Sequence, residues 1–226
     1  EFSNHDPLKF TETIILPEIP DLKDILPETL EKILQGLHII LGISYYKFYC
    51  SPKIKINYNL TKQEIEFWNV VYRKGLGEFF YKNNLDQKIS PKFPYCHCKE
   101  QIALKSQIVL SDKIRHSGER CLVAIGGGKD SIVSAELLKS GGFKITTFFV
   151  QTDQDSRLVD NVANLVGVKY LKIKRVLDPK VFEKHQNNGH IPISAIYGFL
   201  GIFTAILYKY NYFVVSNEHS SNFGNI

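Results

Sequence analysis

The chain has 226 residues, 44% of them hydrophobic, and a formal net charge of +5 at pH 7. This length suits one ordinary domain or two small ones, and the hydrophobic content excludes a disordered chain. The lysines are scattered among acidic residues, which argues against a nucleic-acid-binding groove and indicates tolerance of anionic ligands. Because we see no secretory leader, we expect the four cysteines to be reduced thiols in a cytoplasmic protein.

The amino-terminal region, residues 1–116, is predicted to be mixed and helix-rich, and it is a candidate substrate-binding part. Pro27 can occupy the first turn of a helix that runs to about Leu41. The apolar residues of this helix recur at helical spacing and form its predicted face: Ile33, Leu34, Leu37, Ile40 and Leu41.

A second helix is predicted to begin after Thr61, which has the spacing of a capping box with Glu64. Gly75 and Gly77 are expected to interrupt this helix. Its aromatic residues are predicted to be core rather than a platform for stacking a base: Trp68, Phe79, Phe80 and Tyr81. The loop that follows contains Cys96, His97 and Cys98, but no second Cys/His pair stands at zinc spacing, so we do not expect a structural zinc.

Residues 117–226 alternate between strand and helix patterns. Strands are predicted over "CLVAI", "FKITTFFV", "KYLKIKRV" and "YFVVS", and helices over residues 131–140, "SRLVDNVANLVG" and residues 191–208. This alternation predicts an α/β fold with a doubly wound, mainly parallel sheet. If the first three of these strands wind to one side and the fourth lies on the other, "CLVAI" and "YFVVS" flank the switch point where such sheets bind ligands.

The third of these helices resembles a membrane span in its composition. Residues 191–208, "IPISAIYGFLGIFTAILY", carry no charge and approach the length of about 20 residues that a spanning helix needs. The segment also contains serine, threonine, tyrosine and glycine residues, and it leads directly into the last predicted strand. We therefore predict a fully buried helix packed on the sheet, and no membrane partner.

Three successive glycines, Gly126 to Gly128, follow the first of these strands in "CLVAIGGGKDSIVSAELLK". The stretch lacks the four residues that a Walker A loop has before Gly-Lys-Ser/Thr, and Ser131 replaces the third glycine of the dinucleotide fingerprint. Glycines nevertheless let backbone N–H groups turn inward, and the positive end of the following helix favours an anion. The alternative is an ordinary turn between a strand and a helix.

The stretch "GGGKDS" resembles the Ser-Gly-Gly-x-Asp-Ser pyrophosphate loop of the PP-loop ATP pyrophosphatases, with Gly126 in place of the first serine. This resemblance implies a doubly wound fold that binds ATP and Mg²⁺ and releases AMP and pyrophosphate. It assigns the pyrophosphate to Gly126, Gly127, Gly128, Lys129, Asp130 and Ser131, and the adenine to the end of the second strand, near Gln151. Asp130 could bind Mg²⁺ through water or cap the helix, and Lys129 could neutralise phosphate or face solvent.

Five blocks in the same order look like those of UDP-N-acetylmuramoyl-L-alanyl-L-glutamate epimerase, an enzyme of peptidoglycan precursor synthesis. They are "HIILGISYYK", "GLGEFFYKNNLD", "GGGKDSIVSAELLK", "NGHIPISAI" and "SNEHSSNFGN". The resemblance implies that the terminal L-Glu of a UDP-muramoyl dipeptide is activated as an acyl-adenylate, loses and regains its α-proton, and is released as D-Glu. Family members are longer, so we expect this chain to be truncated at its carboxy end.

The same blocks supply the candidate site residues. Substrate contacts are expected from Tyr45, Tyr46, Lys47, Asn188, Gly189, His190, Asn217, Ser220 and Asn222. Catalytic roles are expected from Lys129, Asp130, His190, Glu218 and His219, since adjacent carboxylate and imidazole groups suit acid, base or metal chemistry. The alternatives are a hydrogen-bonded loop histidine at His190 and a surface turn at Glu218.

Two other function classes remain open at this point. One is a PP-loop enzyme that adenylates a tRNA base before thiolation or lysine transfer, and the other is a nucleotide-binding regulatory module without turnover. The first would need a basic or cysteine-bearing RNA domain, which the amino-terminal region does not clearly contain. No oligomeric state is predicted.

Overall fold

The fold was determined as a computed structural model that describes residues 9–86, 90–94, 119–152, 156–183 and 187–217. Within these ranges the strands are β1 Thr13–Ile15, β2 Arg120–Ala124, β3 Lys144–Gln151, β4 Tyr170–Val176 and β5 Tyr212–Val214. The α-helices are α1 Pro27–Gly42, α2 Lys62–Gly75, α3 Gly77–Lys82, α4 Lys129–Ser140, α5 Arg157–Val166 and α6 Ile193–Leu207. Short 3₁₀ helices cover Tyr46–Phe48 and Pro179–Phe182.

The strands form one five-stranded sheet in the order β1-β4-β3-β2-β5. Strands β2, β3, β4 and β5 are parallel, and β1 pairs antiparallel with β4 at one edge. The mainly parallel α/β sheet predicted from the sequence is confirmed. The chain order of the parallel strands reverses at β2, whose neighbours are β3 on one side and β5 on the other. The predicted switch point between β2 and β5 is therefore present.

The chain divides into two compact units. The sheet unit contains the described residues of Glu1–Leu34, Lys113–Asp178 and Tyr197–Ile226, and the helical unit contains those of Gln35–Asp112 and Pro179–Ile196. This division differs from the boundary near residue 116 that the sequence suggests. The amino-terminal segment joins the sheet unit because β1 pairs with β4, and Pro179–Ile196 joins the helical unit.

Apolar side chains of β2, β3, α4 and α5 form the core on one side of the sheet. Its buried members are Cys121, Val123, Ala135, Ile145 and Val166. Polar side chains connect α5 to β4. Asp160 accepts hydrogen bonds from the hydroxyl of Ser156 at 2.8 Å, from that of Tyr170 at 3.0 Å and from Nζ of Lys172 at 2.8 Å. The hydrogen bond from Lys172 is the main reason that the pKa of Asp160 is lowered.

A buried ion pair connects β1 to β4. Nε of Arg175 lies 2.6 Å from Oε1 of Glu12, and its Nη2 lies 3.3 Å from Oε2, so the pair is bidentate. The two side chains are only 2% and 6% exposed. Removing one partner of such a buried pair leaves an uncompensated charge, so this contact fixes where the amino-terminal segment joins the sheet.

Helix α6 agrees only in part with its prediction. It is a helix of 15 residues, and Ile196 and Leu200 are fully buried. Ile202, however, is 47% exposed, so the prediction of a fully buried helix is wrong. A helix that has apolar residues on all sides is still buried only on the sides that neighbouring elements cover. No helix in the described ranges combines the length and the apolar character that crossing a bilayer requires.

The amino-terminal helices show which local predictions succeed. The capping box is present, with Thr61 N–H donating to Glu64 at 2.7 Å and Glu64 N–H donating to Thr61 at 3.2 Å. Helix α2 ends at Gly75 and α3 begins at Gly77, as predicted. On α1 the predicted face is partly wrong, because Leu34 is 47% exposed whereas Ile39, which was not predicted, is buried.

Candidate functional site

The glycine turn directly follows β2. Gly127 has a φ of +82°, a conformation that side chains rarely adopt, and a Cβ there would lie 3.3 Å from Cδ2 of Leu158 in α5. A Cβ on Gly126 or Gly128 would meet no atom within 4 Å. The middle glycine is therefore required by the backbone, whereas its two neighbours border open space.

Helix α4 begins two residues earlier than predicted, at Lys129 rather than Ser131. Gly128 is the N-cap, with an extended backbone (φ −86°, ψ 157°), and it has no side chain with which to cap the helix. The proposed cap by Asp130 is therefore wrong: Asp130 lies within the first turn, and its carboxylate is 3.0 Å from Nζ of Lys129. The hydroxyl of Ser131 donates to the carbonyl of Gly128 at 2.8 Å.

This turn lies at the carboxyl edge of the sheet, beside the end of β5. The hydroxyls of Ser134 in α4 and Ser216 after β5 are 2.8 Å apart. Ser131 and Asn217 thus follow neighbouring parallel strands at the same edge, as the predicted switch point requires. Gln151 ends β3, the parallel neighbour of β2 on the other side. The predicted site residues Glu218, His219, Ser220 and Asn222 lie outside the described residues.

In the helical unit, the segment from Asn188 to Pro192 packs against α2 and α3. The side-chain amide of Asn83 donates to the carbonyl of Asn188 at 2.8 Å and accepts from its N–H at 3.2 Å. A Cβ on Gly189 would lie 3.0 Å from Cα of Phe79, so a larger residue here would require the backbone of α3 to shift. The blocks "GLGEFFYKNNLD" and "NGHIPISAI" therefore contact each other. Asn83 was not predicted as a site residue, although it lies in "GLGEFFYKNNLD", one of the five blocks of the family resemblance.

His190 forms an ion pair or hydrogen bond with α3. Its Nδ1 lies 2.7 Å from Oε2 of Glu78, and its side chain is 79% exposed. Glu78 also pairs with Lys82 at 2.6 Å. The hydrogen bond from Lys82 is the largest contribution to the lowered pKa of Glu78, and His190 adds to it. The imidazole is therefore held by a carboxylate and remains accessible.

Tyr45, Tyr46 and Lys47 lie in and beside the 3₁₀ helix Tyr46–Phe48. The ring of Tyr46 has edge contacts with those of Phe79 and Phe80, each at 6.3 Å between centroids. Its hydroxyl is buried and has no hydrogen-bond partner within the part of the chain that the structure describes. Burial raises its pKa, and Cys50 contributes to the same shift. Tyr45, the residue before this 3₁₀ helix, is partly buried.

Cys50 and Asn187 belong to the same cluster and were missed at the level of sequence. Nδ2 of Asn187 donates to Sγ of Cys50 at 3.4 Å. Cys50 has a φ of +45°, which is uncommon for a residue other than glycine. Nothing in the spacing connects residues 137 positions apart, so no sequence signal pointed to this pair. For Cys50 alone, the sequence offers one indirect sign, which is that this residue closely follows the block "HIILGISYYK".

The described candidates thus fall into two groups, one in each unit. The turn group contains Gly126, Gly127, Gly128, Lys129, Asp130, Ser131, Gln151 and Asn217. The clamp group contains Tyr45, Tyr46, Lys47, Asn188, Gly189 and His190. Within the described ranges, no three His, Cys, Asp or Glu side chains gather as a metal cluster. Cys96, His97 and Cys98 lie outside those ranges.

A family model described as the MurL N-terminal domain matches residues 1–226. The chain belongs to this family. Proteins named UDP-N-acetyl-alpha-D-muramoyl-L-alanyl-L-glutamate epimerase are similar to this chain, so the resemblance to this epimerase family is confirmed. The protein of Xanthomonas oryzae pv. oryzae is 33% identical over 221 residues, and that of Micromonospora sp. is 32% identical over 226 residues.

The protein of Salinispora tropica is 32% identical to this chain over 224 residues. Each alignment covers 96% of this chain but only 46% or 47% of the relative. The chain spans about half the length of the curated relatives it matches.

Proposed function

We propose that the full-length protein epimerises the terminal L-Glu of UDP-N-acetylmuramoyl-L-alanyl-L-glutamate to D-Glu, in an ATP-dependent reaction through an acyl-adenylate. The observation that carries this proposal is the similarity along 96% of the chain to relatives that bear the name of this epimerase. The open glycine turn at the switch point of the sheet supports the ATP dependence and a fold of the PP-loop type.

The turn group suits the phosphates of ATP. Gly126 and Gly128 leave space where a Cβ would stand, and the turn opens onto the amino end of α4, which favours an anion. Lys129 would neutralise phosphate charge, Asp130 would hold Mg²⁺ through water, and Gln151 would lie near the adenine. When bound, ATP would supply an adenylyl group to the α-carboxylate of the glutamyl residue with pyrophosphate as the leaving group, and water would later hydrolyse the acyl-adenylate to the carboxylate and AMP.

This activation meets a chemical need. A free α-carboxylate is already negative, so removing the neighbouring α-proton would add a second negative charge to the same group. An activated acyl group no longer carries the first charge, and the α-proton becomes more acidic. The remaining requirement is a group that moves the proton. His190 is the described candidate in the clamp group, because Glu78 fixes its ring and most of the side chain is accessible.

The test is an assay of the full-length protein in D₂O with ATP and Mg²⁺. UDP-N-acetylmuramoyl-L-alanyl-L-glutamate should trigger pyrophosphate release, and the product should gain one deuterium at the glutamate α-carbon. A His190→Gln variant should lose about two to four orders of magnitude in proton exchange while still releasing pyrophosphate. His38→Gln, at an exposed histidine of α1, is the matched control and should keep both activities.

Other outcomes would contradict parts of the proposal. Release of pyrophosphate with tRNA instead of the dipeptide would identify a tRNA-modifying enzyme. No release with any acceptor, together with retained ATP binding, would identify a regulatory module. Normal proton exchange in His190→Gln would leave the reaction in place and remove His190 as its acid or base.

A further inference from the structure

Lys47 occupies an unusual electrostatic position in the helical unit. Its side chain is partly buried, and Nζ donates to the carbonyl of Val181 at 3.4 Å, a long hydrogen bond. Among the described residues, no carboxylate forms an ion pair with it. Lys82 in the same unit, by contrast, lies 2.6 Å from Glu78. Burial lowers the pKa of Lys47, as expected for a cation that has lost water without gaining a counterion.

Three further polar groups lie next to Lys47 in the chain or contact Cys50 close by, and one of them has no hydrogen-bond partner among the described residues. The backbone carbonyl of Lys47 accepts a weak hydrogen bond from Sγ of Cys50 at 3.7 Å. The buried hydroxyl of Tyr46, only one residue away, has no partner among the described residues. Asn187 contributes a side-chain amide through its contact with Cys50. Buried polar groups are normally paired, so the unpaired hydroxyl of Tyr46 in the residue next to a partly buried lysine favours a site for a polar ligand.

The backbone supports the same interpretation. Cys50 adopts its positive φ immediately after the 3₁₀ helix that carries Lys47. Such conformations cost about 1–3 kcal/mol and persist where surrounding contacts impose them, often at ligand sites. Asn83 and Gly189 hold the facing segment in place through hydrogen bonds and close backbone approach. The segment that follows Asn187 is thus held against Phe79 and Asn83.

We propose that Lys47 binds an anionic oxygen group of the nucleotide-linked dipeptide. This anion is either a carboxylate of the glutamyl residue or the diphosphate of the UDP group, both of which present negatively charged oxygens to an ammonium group. The ligand would supply the counterion that Lys47 lacks among the described residues. The inference rests on the proposed substrate and adds the residue that anchors its charge.

The experiment compares three variants of the full-length protein. Lys47→Gln removes the charge, Lys47→Arg keeps it, and Lys55→Gln removes an exposed lysine of the same unit as the control. Lys47→Gln should raise the KM for the complete substrate by about 10- to 100-fold, because a hydrogen bond to a charged group is lost. Lys47→Arg should recover most of this loss, and Lys55→Gln should leave KM unchanged. Thermal unfolding of each variant checks that it is folded.

Calorimetry with partial ligands identifies the anion. The probes are UDP, L-alanyl-L-glutamate and L-alanyl-L-glutamine. If Lys47→Gln weakens UDP alone, Lys47 binds the diphosphate; if it weakens the dipeptides alone, Lys47 binds a carboxylate. Weakening of the glutamate dipeptide but not of the glutamine dipeptide assigns the side-chain carboxylate.

Two results would overturn the proposal. One is a Lys47→Gln variant that keeps the KM and every probe affinity of the wild type. The other is a wild-type protein that binds neither the substrate nor any probe. The proposed function fails separately, if wild-type protein binds the probes but shows no proton exchange with ATP and substrate.

Discussion

The three glycines of the turn contribute in different ways. Gly127 is required by the backbone, because its φ of +82° and its closeness to Leu158 exclude a side chain. Gly126 and Gly128 have no such constraint, since a Cβ on either would meet no atom within 4 Å. A substitution at Gly126 therefore tests the space for a ligand without disturbing the fold.

We predict that Gly126→Val leaves the protein folded but lowers ATP affinity by about 100-fold or more, because the side chain occupies the space that the phosphates need. Gly127→Val should also abolish ATP binding, with an additional loss of stability from backbone strain. Gly142→Val is the matched control for strain: it has a φ of +84° in open space, away from the turn. Calorimetry with ATP and Mg²⁺, together with urea unfolding, separates the two effects. Unchanged affinity in folded Gly126→Val would exclude the turn as the ATP site.

Local chemistry could be predicted from the sequence at this scale. The capping box of Thr61 and Glu64 needs only residues three apart, so its two hydrogen bonds follow from the sequence. The exposure of a side chain, by contrast, does not follow from the neighbouring residues in the sequence. Tyr81 is 81% exposed, although its neighbours Phe79 and Phe80 are buried as predicted. Which side of a helix is covered depends on segments that lie far away in sequence.

At the scale of elements, α6 shows how one helix packs on a strand. A Cβ on Gly201 would clash with the ring of Phe213 in β5, so the helix approaches the sheet closely at this glycine. Gly198, three residues earlier in the same helix, has open space in the direction of its missing Cβ. The sequence predicts the helix from its apolar composition, but it does not distinguish these two glycines.

The same substitution at these positions should have opposite effects. Gly198→Ala should stabilise the protein by about 1 kcal/mol, because alanine is the better helix former. Gly201→Ala should destabilise it by about 1–3 kcal/mol, because the ring of Phe213 must move. Urea unfolding measures both, and each variant serves as the control for the other. Equal effects at both positions would contradict the close packing of α6 on β5.

Strand β1 was not predicted from the sequence. It has three residues, too few for an alternating pattern to be visible, and it pairs with β4 more than 150 residues later in the chain. Its position depends on contacts such as the buried pair of Glu12 and Arg175. The four parallel strands were predictable because apolar runs alternate with helix patterns along this part of the chain; β5 also has three residues, but it lies within the apolar run "YFVVS" directly after a helix.

At the scale of the whole molecule, the candidate residues divide between the two units. The sheet unit holds the turn group, which we propose binds the phosphates of ATP, and the helical unit holds the clamp group, which we propose binds the UDP-muramoyl dipeptide. This division implies that a substitution in one unit changes the affinity for one ligand and leaves the affinity for the other unchanged. Asn83 is suitable for the test because its side chain makes three hydrogen bonds that hold α3 and Asn188.

We predict that Asn83→Ala raises the KM for the UDP-muramoyl dipeptide by about 10-fold or more, since three hydrogen bonds that position the clamp group are lost. ATP affinity should stay within about twofold of the wild type. Gly126→Val should show the reverse, with ATP affinity lost and dipeptide binding kept. Asn164→Ala, an exposed position on α5, should change neither. An equal loss of affinity for ATP and for the dipeptide in Asn83→Ala would contradict the assignment of one ligand to each unit.

The sequence by itself determined the features that depend on neighbouring residues. The strands and helices, the glycine turn and each family block are visible as patterns within single stretches of sequence, and the order of these stretches predicts the parallel sheet. Only the tertiary structure brought Asn187 to Cys50, Asn188 to Asn83 and His190 to Glu78. These contacts join residues that lie between 105 and 137 positions apart in the sequence. A periodic pattern predicts which side of a helix or strand is apolar, but the segment that covers this side is determined by the packing of the whole chain. This packing also places Lys47 in its partly buried site.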